Sequence, residues 1–277
     1  MMHQSLFVYR GYRYFKLCML LIIASIAAYA IHAPVDGPNG GTWLGYTLGG
    51  LGAAIILLLM WFGVRKRSYK SDMGQVQGWL SAHVYLGVAL IIIATLHAGF
   101  QIGWNVHTLA YVLMFIVIFS GIFGVYAYLR YPELMTKNRR GNTLDLMMIE
   151  MSELDRECRD AAAQLTDEIN KCILDCSENT TIGGSVRQQL SGKDKNCATQ
   201  AALDKVGELN KLLPKEMAGD ASRLMTLLGK KSELVQRARR DVQYKAIMDI
   251  WLYFHVPLSF ALLAALTAHV VSIFFYW

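Results

Sequence analysis

Four of the seven histidines form two pairs of identical spacing within apolar sequence. His83 and His97 lie 14 residues apart, and His255 and His269 are separated by the same interval. Fourteen residues at about 100° each fall about 40° short of four helical turns, so both imidazoles of a helix project from nearly the same face. Because an imidazole in an apolar span is costly without a partner, these side chains are candidate ligands.

Five apolar runs are long enough to form the helices that carry these side chains. They cover residues 15–33, 44–64, 79–100, 109–129 and 250–277. Because lipid cannot satisfy backbone hydrogen bonds, such runs cross a membrane as helices. The chain, 54% of whose residues are apolar, is therefore predicted to be an all-α, polytopic membrane protein with a five-helix transmembrane bundle.

The first run has an alternative interpretation as a signal peptide. Arg10, Arg13 and Lys16 precede its apolar core, and the AYA sequence at residues 28–30 resembles a cleavage site. We expect instead that the run is retained as the first span.

Basic residues lie on only one side of the predicted bundle. Lys and Arg precede the first run and follow the second and the fourth, whereas the connections 32–43 and 101–108 contain neither. The positive-inside rule then places the N-terminus and the segment after the fourth run in the cytoplasm, and the C-terminus outside. We therefore predict an integral protein of a bacterial inner membrane in this orientation.

A polar segment of a different kind follows Pro132, which is expected to end the fourth helix. Apolar residues recur over 144–176 in steps of three and four with one four-four stutter, and a second series covers 203–242 with a break around Pro214 and Gly219. The first series predicts one long amphipathic helix, and the second is expected to continue into the fifth span. We predict a cytoplasmic helical hairpin, or a three-helix version of it, that docks a partner or mediates oligomerisation. The predicted domains are residues 1–135, 136–246 and 247–277.

The net charge of +6 does not indicate a nucleic-acid partner. Residues 136–246 contain 19 basic and 17 acidic residues, so only +2 belongs to this segment and +4 to the flanks of the spans. Positive-inside topology accounts for this distribution. No nucleic-acid-binding pattern is present in the sequence.

Four cysteines lie in the polar segment, namely Cys158, Cys172, Cys176 and Cys197, and Cys18 lies in the first run. Three of them occupy the apolar seam, where a free cysteine packs as a small hydrophobe, so core packing is favoured. A thiol function and an iron–sulfur cluster are alternatives, although the spacing matches no usual cluster motif. An oxidising location would favour a disulfide from Cys197 to Cys172 or Cys176.

The third and fifth spans run in the same direction in this topology. His83 is therefore level with His255 (pair A), and His97 is level with His269 (pair B). Zinc needs four nitrogen or sulfur ligands, and diiron sites in bundles need inward-facing carboxylates, neither of which these spans supply. Two facing imidazoles suit the axial ligation of haem iron. Because no C-x-x-C-H motif occurs, we predict two noncovalent b haems with these four histidines as iron ligands.

Basic residues near the cytoplasmic ends of the spans could neutralise haem propionates. The candidates are Arg10, Arg13, Arg65, Arg67 and Arg130. Each of them also satisfies the positive-inside rule without such a role.

Two further histidines, His32 and His107, fall in the connections at the opposite surface. They could bind an electron acceptor, a quinone head group or a metal ion near pair B. The alternative is that they are ordinary exposed loop histidines.

The H-x13-H spacing of His83 with His97 and of His255 with His269 resembles the transmembrane core of the ferric reductase and NADPH oxidase superfamily. It is also similar to cytochrome b of quinol-oxidising complexes. This resemblance covers the spans and implies two stacked b haems held by the four histidines. The chain departs from the superfamily in its five predicted spans instead of six, its helical insertion, and the absence of a flavin or nicotinamide domain after the last span. The resemblance therefore implies electron conduction, and not iron reduction by NADPH.

These features favour transmembrane electron transfer between a cytoplasmic-side or quinol donor and an acceptor on the opposite face. Haem iron with two imidazole ligands has no site for oxygen or substrate, so we expect an electron-transfer protein or an oxidoreductase subunit, working with a partner protein or quinone. One alternative is the membrane-anchor cytochrome b subunit of a quinol-linked oxidoreductase complex. A non-redox alternative is a haem-binding sensor or scaffold that signals through the coiled hairpin.

Overall fold

The computed structural model describes residues 6–35, 37–67 and 75–275, and every regular element in these ranges is helical, which confirms the all-α prediction. Short 3₁₀ turns at Leu6–Val8 and Lys215–Met217 precede the first and the last α-helix. The α-helices are α1 (Arg13–Ile31), α2 (Trp43–Arg67), α3 (Val76–His97), α4 (Val106–Arg139), α5 (Leu144–Ala162), α6 (Asp167–Asn179), α7 (Val186–Ser191), α8 (Ala198–Asn210) and α9 (Ala218–Phe275).

Five helices in the described ranges are long and apolar enough to cross a membrane. They are α1, α2, α3, and the helices that contain the apolar parts of α4 and α9. About 20 apolar residues at 1.5 Å per residue span a hydrocarbon core of about 30 Å, which is why these runs form uninterrupted helices. The structure therefore agrees with an integral membrane protein.

The chain divides into two compact units. The first comprises Met1–Gly124 and Leu252–Trp277, and the second comprises Val125–Trp251. Helices α4 and α9 each contribute residues to both units. The four paired histidines belong to the first unit, and the predicted polar segment falls within the second.

In the first unit, α3 packs along α2 and α1. Leu90 and Ile93 of α3 are fully buried there. A methyl group added at Gly52 of α2 would lie 3.6 Å from Leu90 Cδ1 and 4.0 Å from Ile93 Cγ2. Glycine on α2 thus allows the close helix approach that is typical of membrane interfaces.

The apolar seam forms the core of the second unit, but it does not form one helix. The break between α5 and α6 coincides with the four-four stutter at Ala161, Leu165 and Ile169. A stutter is compatible with a continuous helix as well as with a break, and here the chain turns while all three residues remain buried. Asp167 and Glu168 then favour a new helix N-terminus. The expectation of a single long helix is wrong.

Pro132 does not end α4, contrary to the expectation from the sequence, and the helix continues to Arg139. The last turns are held by α9 within the second unit. Arg139 forms two hydrogen bonds with the buried carboxylate of Asp241, at 2.9 and 2.7 Å. Asn138 donates to the backbone carbonyl of Arg237 at 2.7 Å. These contacts offset the single helical hydrogen bond that proline removes.

Helix α9 is an uninterrupted helix of 58 residues. It begins in the polar segment and continues into the last apolar run, where Pro257 does not interrupt it. The predicted continuity between the second seam and this run is therefore confirmed.

Candidate functional site

The structure brings the two histidines of pair B into ring contact within the first unit. In pair B, His97 at the end of α3 faces His269 of α9, with ring centroids 5.9 Å apart and ring planes at 88°. In pair A, His83 and His255 interact electrostatically. The ring pairing expected from the spacing is therefore present at pair B, while the facing of the rings in pair A and the binding of metal by these side chains stay predictions.

The His97 ring is fixed by α2. Its Nδ1 lies 2.8 Å from the backbone carbonyl oxygen of Gly45. Because a carbonyl only accepts hydrogen bonds, Nδ1 carries the proton and Nε2 of the neutral ring keeps its lone pair. Gly49, one turn further along α2, lies directly against the ring, where a methyl group would be 2.7 Å from Cε1. Helix α2 thus presents Nε2 of His97 for binding.

Pair A is supported by α2 and α4. The Nδ1 of His255 lies 3.2 Å from the hydroxyl oxygen of Ser120, and a methyl group at Gly121 would lie 3.5 Å from its Cε1. The His83 ring packs against Phe62 with centroids 5.1 Å apart. Its Nδ1 is buried without a hydrogen-bond partner among the described residues. A buried nitrogen in this state is costly in isolation and is available to a ligand.

In the described ranges, α3 and α9 pack less closely than α3 and α2 do. Gly87 follows His83 by one turn and lies on nearly the same face of α3. It is buried, yet a methyl group added there would meet no neighbouring atom within 4 Å. The histidine-bearing face of α3 therefore has open space beside Gly87.

The five arginine candidates differ in their surroundings. Arg65, near the end of α2, is only 7% exposed. Arg10 and Arg13 are exposed, and Arg130 belongs to the second unit and is also exposed. The side chain of Arg67 lies outside the described part of the structure. Of the four described candidates, Arg65 is therefore the one that could meet an anionic group away from water.

His32 and His107 have different contacts. The His32 ring lies edge-on to Trp43, with centroids 5.2 Å apart. His107 is not in a loop, because α4 begins at Val106, and its Nδ1 is hydrogen-bonded to Nδ1 of His269. His107 therefore belongs to the surroundings of pair B.

The second unit contains a buried ion pair that the motif analysis does not identify. Lys231 is 1% exposed, and its ammonium group donates to the carboxylate of Asp155 and to the carbonyl oxygen of Cys176, the latter at 3.2 Å. It also lies 3.3 Å from the Cys176 thiol. The signal in the sequence is that Lys231 interrupts the apolar seam, four residues after Leu227 and four before Val235. A charge at such a position requires a partner.

The cysteines are free thiols, and Cys158 and Cys176 are buried in the core of the second unit, as core packing predicted. We expect N-ethylmaleimide to modify Cys197 first. Cys172 should react more slowly, because burial raises the pKa of its thiol and so lowers the fraction of reactive thiolate. Cys158 and Cys176 should react only on unfolding.

Peptide mapping by mass spectrometry over a time course tests this order of modification. The same reaction in denaturant is the control, since all thiols should then react at similar rates. Early modification of Cys158 in the folded protein would contradict its place in the core.

Comparison with known proteins does not identify a relative. No protein-family model, curated protein or solved structure matches this chain. The function is therefore inferred from the chain's own side chains.

Proposed function

We propose that this chain is a diheme b-type cytochrome that conducts electrons across a membrane. The observation that carries this proposal is the ring contact of His97 on α3 with His269 on α9, together with the electrostatic interaction of His83 with His255 on the same two helices. The Nδ1 atoms of His97, His255 and His269 each have a hydrogen-bond partner. Metal-binding histidines show this arrangement, in which one ring nitrogen is held by the protein and the other binds the metal.

The donor set supports haem over a bare metal ion. In the described ranges, no group of three or more His, Cys, Asp or Glu side chains could hold a metal ion. A metal bound by pair A or pair B must therefore bring its other ligands with it. A porphyrin does so, because it fills the equatorial plane and leaves two axial positions for imidazoles.

The separation of the rings in pair B suits one metal atom between them. A bond from an imidazole nitrogen to a first-row metal is about 2 Å, and the ring centre lies about 1 Å behind that nitrogen. The centroids of two axial imidazoles are then about 6 Å apart. The observed separation is 5.9 Å, a distance at which packed aromatic rings also meet without a metal.

Haem supplies a one-electron ferric–ferrous couple when it is bound. His83 with His255, and His97 with His269, would each hold one haem, and with two protein ligands its iron would have no site left for oxygen or substrate. The partners of Nδ1 orient the rings of His97, His255 and His269, and the carbonyl of Gly45 also fixes the tautomer of His97. The two histidines of one helix are 14 residues apart, which is a rise of about 21 Å along the helix axis. This is most of the thickness of the hydrocarbon core.

The proposal includes the arrangement implied by the resemblance to the ferric reductase and NADPH oxidase core. In it, the chain has five spans in a bacterial inner membrane, with the N-terminus and the helical insertion in the cytoplasm and the C-terminus outside. Electrons pass between a cytoplasmic-side or quinol donor and an acceptor on the opposite face, through a partner protein or quinone. Arg65, on the basic side of the membrane, neutralises a propionate of the haem at pair A.

Spectroscopy of the purified, full-length protein tests the proposal. We expect two haem b groups per chain in a pyridine haemochrome assay, with low-spin spectra that carbon monoxide does not change. Folded protein without haem would overturn the proposal. A five-coordinate fraction that binds carbon monoxide would instead support a haem-binding sensor.

Gly49→Ala should weaken haem binding at pair B. The added methyl group would lie 2.7 Å from Cε1 and 2.9 Å from Nδ1 of His97, so the ring must move and lose its bond to Gly45. Loss of support for a ligating histidine lowers metal-site affinity by about 10- to 100-fold. Haem titration of the variant in lipid nanodiscs measures this change.

Gly50→Ala is the matched control, because a methyl group at Gly50 meets no atom within 4 Å. It should bind haem as the wild type does. Equal haem affinity of the two variants would show that α2 does not position His97.

A further inference from the structure

Pair B has a third imidazole beside it. His107, in the first turn of α4, is hydrogen-bonded through Nδ1 to Nδ1 of His269, with ring centroids 4.5 Å apart and ring planes at 89°. His269 also faces His97 at 5.9 Å. The ring of His269 is therefore in contact with imidazoles from two other helices.

The backbone around His107 is ordered by local hydrogen bonds. The side-chain oxygen of Asn105 accepts from the backbone N–H of Thr108 at 2.9 Å. The hydroxyl of Thr108 accepts from the backbone N–H of Gly103 at 3.1 Å. Such capping bonds fix the start of a helix. His107 is thus presented from an ordered helix end.

We propose that His107 is a positioning residue for pair B, whose Nδ1 accepts the Nδ1–H of His269 and so leaves Nε2 of His269 to bind iron. This inference rests on the proposed function. The hydrogen bond requires one proton between the two nitrogens. A histidine that binds metal through Nε2 has only its Nδ1–H to donate, so His269 is the donor and His107 the acceptor.

The nature of this acceptor has a redox consequence. His97 donates to the carbonyl of Gly45, and His255 is bonded to the hydroxyl of Ser120. An imidazole nitrogen is a stronger base than either oxygen, so it draws the Nδ1 proton further and makes His269 a more electron-rich ligand. An electron-rich ligand stabilises ferric iron. Loss of His107 should therefore favour the ferrous state of the haem at pair B.

Spectroelectrochemical titration of the purified protein in nanodiscs measures this effect. His107→Phe keeps an aromatic ring and removes the acceptor, whereas His107→Asn places an amide oxygen near the position of Nδ1. His32→Phe is the matched control, because His32 contacts Trp43 and has no hydrogen bond to either pair in the described ranges. The haem at pair B is identified as the one that His97→Ala removes.

We expect His107→Phe to raise the ferrous-to-ferric ratio of that haem about tenfold at a given ambient potential, a shift of about 59 mV. His107→Asn should recover most of the shift, and His32→Phe should cause none. The haem at pair A should be unchanged in every variant. Two haems in the wild type with an unchanged titration in His107→Phe would overturn this proposal alone. Wild-type protein without haem would overturn both proposals.

A measurement on haem-free protein tests the hydrogen bond itself. With ¹⁵N-labelled histidine, a through-bond coupling is expected between the Nδ1 atoms of His107 and His269, and it should vanish in His107→Phe. A wild-type protein without this coupling would overturn the positioning role, whatever its haem content. Equal potentials in His107→Asn and His107→Phe would also overturn it, because the effect would then come from packing.

Discussion

His97→Ala is expected to remove the haem at pair B and to leave the haem at pair A in place. His97 supplies one of the two imidazoles at pair B, and its ring is the one that α2 supports through Gly45. Pair A uses other side chains, so its ligands are intact. The ratio of haem to protein should fall from two to one, and one low-spin ferric signal should disappear from the electron paramagnetic resonance spectrum.

Electron transfer across proteoliposomes should fall to background in the same variant, because the remaining haem reaches only one face of the membrane. Added imidazole should restore part of the haem binding by replacing the missing ligand. His255→Ala should give the converse result and remove only the haem at pair A. Loss of both haems from either variant, with helix content unchanged, would contradict the assignment of the pairs to separate levels.

Lys231→Met is expected to destabilise the second unit by about 3 kcal/mol. Removing one partner from a buried ion pair costs about 3–5 kcal/mol, and the lower end applies because the Asp155 side chain keeps 19% of its exposure to water. Methionine keeps the length of the side chain but leaves the carboxylate of Asp155 and the carbonyl of Cys176 without their donor. Amide hydrogen exchange in α5 and α6 should become roughly a hundredfold faster.

Two further variants separate the charge effect from packing. Lys230→Met, at the exposed neighbouring position, should leave exchange unchanged. The double variant Lys231→Met with Asp155→Leu should recover most of the stability, because no charge is then left unpaired. A double variant no more stable than Lys231→Met alone would show that the ion pair is not the cause.

The apolar spans were predictable from the sequence because lipid offers no hydrogen-bond partners to the backbone. A run of about 20 apolar residues must satisfy its own hydrogen bonds and therefore forms a helix. Each of the five predicted runs overlaps a long apolar helix of the described ranges. The helical period then decides which residues share a face, so the common face of His83 and His97 follows from their spacing alone.

The positions where helices end or break were less predictable, because contacts between residues far apart in the sequence can override local helix preferences. Proline at position 132 favours a helix end, yet the bonds of Arg139 to Asp241 keep α4 helical beyond it. The stutter around Leu165 is visible in the sequence, but a stutter is compatible with either local unwinding or a break. In this chain the break between α5 and α6 is the arrangement that packs the apolar residues into the core of the second unit.

The sequence by itself determined the apolar helices, the register of the four histidines along α3 and α9, and the apolar seam, because these depend on residues within a few turns of one another. Only the tertiary structure decided which group each imidazole meets. Gly45 is 52 residues from His97, Ser120 is 135 from His255, and His107 is 162 from His269. A hydrogen bond between such distant positions depends on how helices pack, and helical periodicity carries no information about it.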